Sequence, residues 1–205
     1  MDSDKSLGRI AVVKDLMHFF HLPGGETLGN LAEERARKRK QEAIDSIVQE
    51  LEKGTDVVSA FDEKEVPEFV DMALRLIDAI EKGTAKRNLR LLAQVIVGLK
   101  KNRLFKFDNF QKWANILETL TRDELLVLGK AYVLMQREVH VWSLLVEELV
   151  PNTFPANGEL DAVCAGLLRT GLMLPVPALG NLSYQPAKAL LELGKLALLD
   201  PGSDE

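Results

Sequence analysis

The chain has 205 residues, 46% of them hydrophobic and 28% charged, with a formal net charge of −5. This is ordinary globular usage, which excludes a disordered or fibrous chain and leaves enough apolar material for a sizeable core. Cys164 is the only cysteine, so an intramolecular disulfide is excluded, and no apolar run approaches the roughly 18 residues that span a bilayer.

Residues 1–26 form the first predicted part, an amphipathic arm. Its opening, Met1-Asp2-Ser3-Asp4-Lys5, is acidic where a secretory leader is basic, and the expectation is a cytoplasmic protein. Leu7, Ile10, Val13, Leu16, Met17 and Phe20 follow at helical spacing until Pro23-Gly24-Gly25 breaks the pattern. Asp15, His18 and His21 lie on its polar side at a spacing that could offer metal ligands. Without a further supporting shell they read as a solvated face. The arm's apolar side needs a cover, and a second copy of the chain would supply it.

Thr27 can cap a helix that runs to Lys53 and ends at Gly54. At about 1.5 Å per residue it would be on the order of 40 Å long. Glu33-Glu34-Arg35-Ala36-Arg37-Lys38-Arg39-Lys40 interrupts its apolar stripe. At roughly 100° per residue, Leu28, Leu31 and Ala32 face one way, and Ile44, Ile47, Val48 and Leu51 nearly the opposite way. Arg35 and Arg39 occupy positions where the first stripe would continue into a core. Arg35, Arg37, Lys38, Arg39 and Lys40 are therefore the candidate partner-binding residues. Such a run reads first as a solvated face with local ion pairs, then as a contact for an acidic protein surface, then as a phosphate contact.

A short helical turn is predicted around 56–61. A helix over 64–82 follows, with Val66, Phe69, Val70, Ala73, Leu74, Ile77 and Ile80 inward and Gly83 as its stop. The next helix, 84–101, turns Leu89, Leu92, Val95, Ile96 and Leu99 inward. Charge is segregated here. Residues 42–81 carry twelve acids against three bases, and residues 82–107 carry eight bases and no acid. The short connection between the two helices predicts an antiparallel pair, with Glu68, Asp71, Asp78 and Glu81 available to Lys86, Arg87 or Arg90.

Phe110, Trp113, Ile116, Leu117 and Leu120 mark another helix. Thr121-Arg122-Asp123-Glu124 is a capping box opening a helix expected to reach Leu149, with His140 core or half-buried within it. Residues 27–150 thus read as an all-α multi-helix bundle. The stretch 151–158 is a linker. Residues 158–170 fit a helix closed by Gly171, in which Cys164 is a buried small hydrophobe. Leu172-Met173-Leu174 is a short strand, 175–181 a turn, and Leu182-Ser183-Tyr184 the return. Pro186 is placed in the first turn of a last helix whose apolar side is Leu190, Leu191, Leu193, Leu196 and Leu198.

Helix, hairpin and closing helix, with Leu167-Leu168 before Gly171-Leu172 and then Tyr184-Gln185-Pro186, resemble the C-terminal half of a winged-helix domain over residues 158–199. Residues 151–205 are accordingly a winged-helix-like module with an acidic tail. A DNA-reading version needs bases on the recognition helix and the wing. This one offers Glu159, Asp161 and only Arg169 on the helix, and no charge from Pro175 to Leu182. Met173, Leu174, Val176 and Leu179 suit protein docking instead.

No nucleophile elbow, phosphate-cradling glycine loop or metal motif is present, so neither a cofactor, a metal nor catalysis is expected. The sequence predicts a protein-interaction or regulatory protein that self-associates through its arm. Nucleic-acid or other phosphate binding through residues 35–40 is the second reading.

Overall fold

The computed structural model describes residues 38, 41, 42, 45, 49 and 50, then 64–137, 140–178 and 181–199. Among these it is mostly helical, with seven helices and one two-stranded antiparallel hairpin. None of the described helices is long and apolar enough to cross a membrane. The chain divides into two compact units, Met1–Glu118 and Thr119–Glu205. The helices between 119 and 150 therefore group with the hairpin.

In the first unit, α1 (Val66–Glu81) opens with a proline in its first turn, where the missing N–H costs nothing. It closes at Gly83, whose φ of +78° is the left-handed conformation a glycine supplies without strain. Gly83 N then donates to Ile80 O and Thr84 N to Ala79 O, both at 3.0 Å. The inward face is Phe69, Met72, Ala73, Leu76 and Ala79. Here the sequence expectation is corrected, because Val66, Val70 and Leu74 are exposed while Ile77 and Ile80 are half-buried. Small alanines and Met72 let the neighbouring helices approach on that side, a preference that counting large apolar residues does not register.

Helix α2 (Lys86–Lys101) is surrounded. Besides the five predicted residues it buries Leu91, Ala93, Gly98 and Asn88, and the Asn88 amide donates to Leu117 O at 2.7 Å. Helix α3 (Phe107–Leu117) buries Phe110, Trp113, Ala114 and Leu117, with Ile116 half-buried. Its N-terminus is capped from a distance, the Glu68 carboxylate accepting from Phe107 N at 2.6 Å.

The second unit is built around α4 (Arg122–Met135), which packs against the helices Val141–Leu149, Asn157–Leu167 and Lys188–Gly194 and the strand Asn181–Pro186. Thr121 and Glu124 form the expected capping box. Glu124 N donates to Thr121 Oγ1 at 3.2 Å and Thr121 N to Glu124 Oε2 at 2.9 Å. The predicted continuous helix to Leu149 is in fact two, since α4 stops at Met135 and α5 spans Val141–Leu149. His140 is not in a core. It is exposed at the position before α5, with φ −101° and ψ 62°, where no helical turn can continue.

Helix α6 (Asn157–Leu167) runs into a 3₁₀ turn, Leu168–Thr170, and ends at Gly171 with φ +69°. Strand β1 (Met173–Ala178) pairs with β2 (Asn181–Pro186), Met173 opposite Pro186 and Ala178 opposite Asn181. Both strands exceed the prediction, and the segment from Pro175 read as a turn is strand. Prolines 175 and 177 are tolerated because a two-stranded ribbon is all edge. Pro186 likewise ends β2, and Ala187 rather than Pro186 precedes α7 (Lys188–Gly194). Leu190, Leu193 and Leu196 are buried as expected, Leu191 is half-buried, and Leu198 is 76% exposed. Gly194 permits the closest approach in this unit, because a Cβ there would overlap the Tyr132 ring.

Candidate functional site

Of the five candidate basic residues, only Lys38 is among those described, and it is helical and exposed. Arg35, Arg37, Arg39 and Lys40 lie outside the described residues. So do the arm, with Asp15, His18 and His21, the predicted turn at 56–61, and the stripe residues Leu28, Leu31, Ala32, Ile44, Ile47, Val48 and Leu51. Past the run, Gln41 donates to Asp45 at 2.9 Å one turn on. Glu50 is 5% exposed and meets α2, at 3.5 Å from Arg90 Nε and 2.9 Å from Gln94 Nε2. A buried glutamate on this stretch was not legible in the sequence, where the apolar residues around it carried the pattern.

Four bases of the second basic segment are paired inside their own unit, but with other partners than the sequence suggested. Glu65 bonds Lys100, and Glu68 lies 3.0 Å from Lys106. Asp78 takes Arg75 at 2.7 Å and Lys82 at 2.6 Å, within its own helix. Arg90 goes to Glu50. An antiparallel pair explains the exchange, since the first turn of α1 lies level with the end of α2, and its last turn with the tight connection. The Phe107 amide, then Lys106, hold the Glu68 carboxyl below its ordinary value. Lys82 foremost, then Arg75, do the same for Asp78.

Arg75 also reaches Glu118 at 3.0 Å and Asn115 at 3.3 Å on and after α3. Burial nonetheless pushes the Glu118 carboxyl upward, since Arg75 offsets only part of the desolvation and Asp78 adds repulsion. This polar chain joins α1 to α3. It holds no nucleophile.

In the second unit, the Arg169 side chain is 44% exposed, yet its guanidinium is held by the protein's own groups. Its Nη2 donates to Glu124 Oε2 at 2.9 Å and to Thr119 O at 3.2 Å. Its Nη1 bonds Glu124 Oε1 and donates to Gly166 O at 2.6 Å. Burial raises the Glu124 carboxyl, but Arg169 and the Thr121 amide outweigh it and the net shift is downward. The remaining charges of α6 are Glu159, exposed, and Asp161, half-buried.

The hairpin's inner end is fixed by Met173 and Tyr184, both buried, and the Tyr184 ring meets Trp142 edge-on at 5.1 Å. Leu174, one residue from the base, and Leu182, near the tip, stand 44% and 49% exposed. Leu179 lies outside the described residues. Cys164 is fully buried, and burial pushes its thiol up to about 12, the state of a packed side chain rather than a nucleophile. No cluster of three or more metal-ligating side chains exists among the described residues. Comparison with protein-family models, curated proteins and solved structures finds no match for this chain.

Proposed function

We propose that this chain is a helical protein-interaction or regulatory protein that assembles with protein, a second copy of itself included. Its residues 151–205 are read as a winged-helix-like module that docks rather than reads DNA. One observation carries this: Arg169, at the end of the candidate recognition helix, and three bases of residues 82–107 are bonded to the protein's own acids, while large apolar side chains stand exposed. Arg169 is held by Glu124, Lys100 by Glu65, Lys106 by Glu68 and Arg90 by Glu50. Leu174 and Leu182 on the hairpin and Val66, Val70 and Leu74 on α1 are among the exposed apolar residues. Surfaces of that kind gain by excluding water against another protein.

The test is mass in solution by light scattering, for the full chain and for a chain lacking residues 1–22. A full-length oligomer that becomes monomeric on deletion supports the reading, and a full-length monomer at every concentration removes self-association from it. The second reading, phosphate binding through residues 35–40, is favoured by the exposure of Lys38. It requires salt-dependent retention on heparin or DNA that falls when the five bases become glutamine.

A further inference from the structure

Helix α1 has two apolar faces. One packs inside its unit through Phe69, Met72, Ala73, Leu76 and Ala79. The other is a row at spacing four, Val66, Val70 and Leu74, which are 49%, 44% and 45% exposed. Single exposed apolar residues are commonplace, but a row along one helix side is the pattern that a helix-in-groove partner reads. The row extends about 12 Å at 1.5 Å per residue.

Its surroundings narrow the occupant. The helix carries Glu68, Asp71, Asp78 and Glu81 against Arg75, and with Glu68 held by Lys106 and Asp78 by Arg75 and Lys82 its exposed acids are Asp71 and Glu81. At roughly 100° per residue, Asp71 falls on one flank of the row and Glu81 continues its line about two turns beyond Leu74. The fitting partner is thus an amphipathic helix with an apolar stripe and basic margins. Within this chain, residues 5–21 have that composition. Lys5, Arg9 and Lys14 stand against Asp15, three minus one, net +2, around the stripe of Leu7, Ile10, Val13, Leu16, Met17 and Phe20. As a helix these 17 residues would reach about 25 Å, enough to cover the row. The other amphipathic stretch, residues 41–53, has Glu42, Asp45, Glu50 and Glu52 against Lys53, which is the wrong sign. Its Glu50 is already engaged at α2.

We infer that the row Val66, Val70, Leu74 on α1 is the docking seat for residues 5–21 of a second copy of this chain. The inference rests on the self-association proposed above and adds the surface that receives the arm. Reciprocal exchange of two arms buries two such contacts, as an isologous dimer requires.

The experiment uses the full chain. Light scattering on the unaltered protein is compared with Val70→Asp combined with Leu74→Asp, both at exposed positions, with circular dichroism to verify that helix content is kept. The expected result is a dimer whose dissociation constant rises about tenfold or more in the variant. In parallel, a Val13→Cys chain and a Leu74→Cys chain are mixed and oxidised, the native Cys164 being buried. A disulfide between the two different chains supports the seat. A dimer that tolerates the double substitution and forms no 13–74 link overturns the seat but leaves self-association standing. A full chain that is monomeric overturns both. A 13–74 link that forms within a doubly substituted chain but not between mixed chains overturns docking on a second copy.

Discussion

Arg169 grips, from 45 positions further along the chain, the same Glu124 carboxylate that closes the capping box with Thr121. One buried acid thus serves a local and a long-range purpose: it starts α4 and ties the end of α6 to that start.

Removing the guanidinium leaves a carboxylate that is only 5% exposed with its backbone contact alone. Arg169→Ala is expected to destabilise the second unit by about 1–3 kcal/mol, discounted because the Arg169 side chain is itself partly in solvent. Arg169→Lys should not rescue it, since an ammonium cannot span both carboxylate oxygens and the Thr119 carbonyl. Denaturant midpoints for the single variants, Glu124→Gln and the double variant give the coupling directly. An Arg169→Ala protein as stable as the parent would show that the clamp contributes nothing.

Buried Glu124 and half-buried Glu118 predict pH dependences of opposite sign. Glu124 is held below its ordinary value in the folded state, so its contribution is present above the unfolded value and is lost as pH falls through the folded one. Glu118 is raised, so its contribution is present at low pH and is lost as pH rises from the unfolded value through the folded one. Thermal midpoints between pH 2 and pH 7 should show a shallower acid loss in Glu124→Gln and a steeper one in Glu118→Gln.

Both elements of this pairing were partly legible. Thr121 and Glu124 lie three residues apart, and a cap is a local device, so the sequence shows it. Arg169 shows only as a lone base, because nothing in a linear pattern says which of many acids lies near it after folding. The α1 register was misread for a different reason. Val66, Val70 and Leu74 outweigh Ala73 and Ala79 in hydropathy, yet packing rewards the side that lets helices approach. The break before α5 was hidden because Val139 and Val141 continue the apolar texture across it. The basic run is legible as a charge feature, but its partner, if it has one, is set by surfaces that no residue spacing encodes.

Glycine substitutions separate close packing from propensity. Gly194→Ala drives a methyl into the Tyr132 ring and should cost about 1–3 kcal/mol by overpacking. Gly158→Ala, in the first turn of α6 with open space around it, should instead be neutral or stabilising by up to about 1 kcal/mol. Urea unfolding of the two variants checks the contrast in sign.

Cys164 should resist alkylation. With its thiol pushed up to about 12, the thiolate fraction at neutral pH is on the order of one in 100,000. Iodoacetamide followed by mass spectrometry should find it unmodified in native buffer and modified in denaturant. Rapid labelling of the native protein would contradict the packing around α6.

The prolines of the hairpin bear on how it can be approached. Ala178 opposite Asn181, with two residues between them, makes that pair the one that exchanges backbone bonds, and alternate pairs up the ribbon follow suit. Pro175 and Pro177 then fall on the pairs whose amides point away from β2. An outside strand seeking donors along β1 would meet two positions with no N–H to offer. The ribbon can therefore lengthen into a larger sheet only along β2, where Leu182 and Tyr184 keep their N–H groups, and whatever meets β1 must read its side chains and not its backbone.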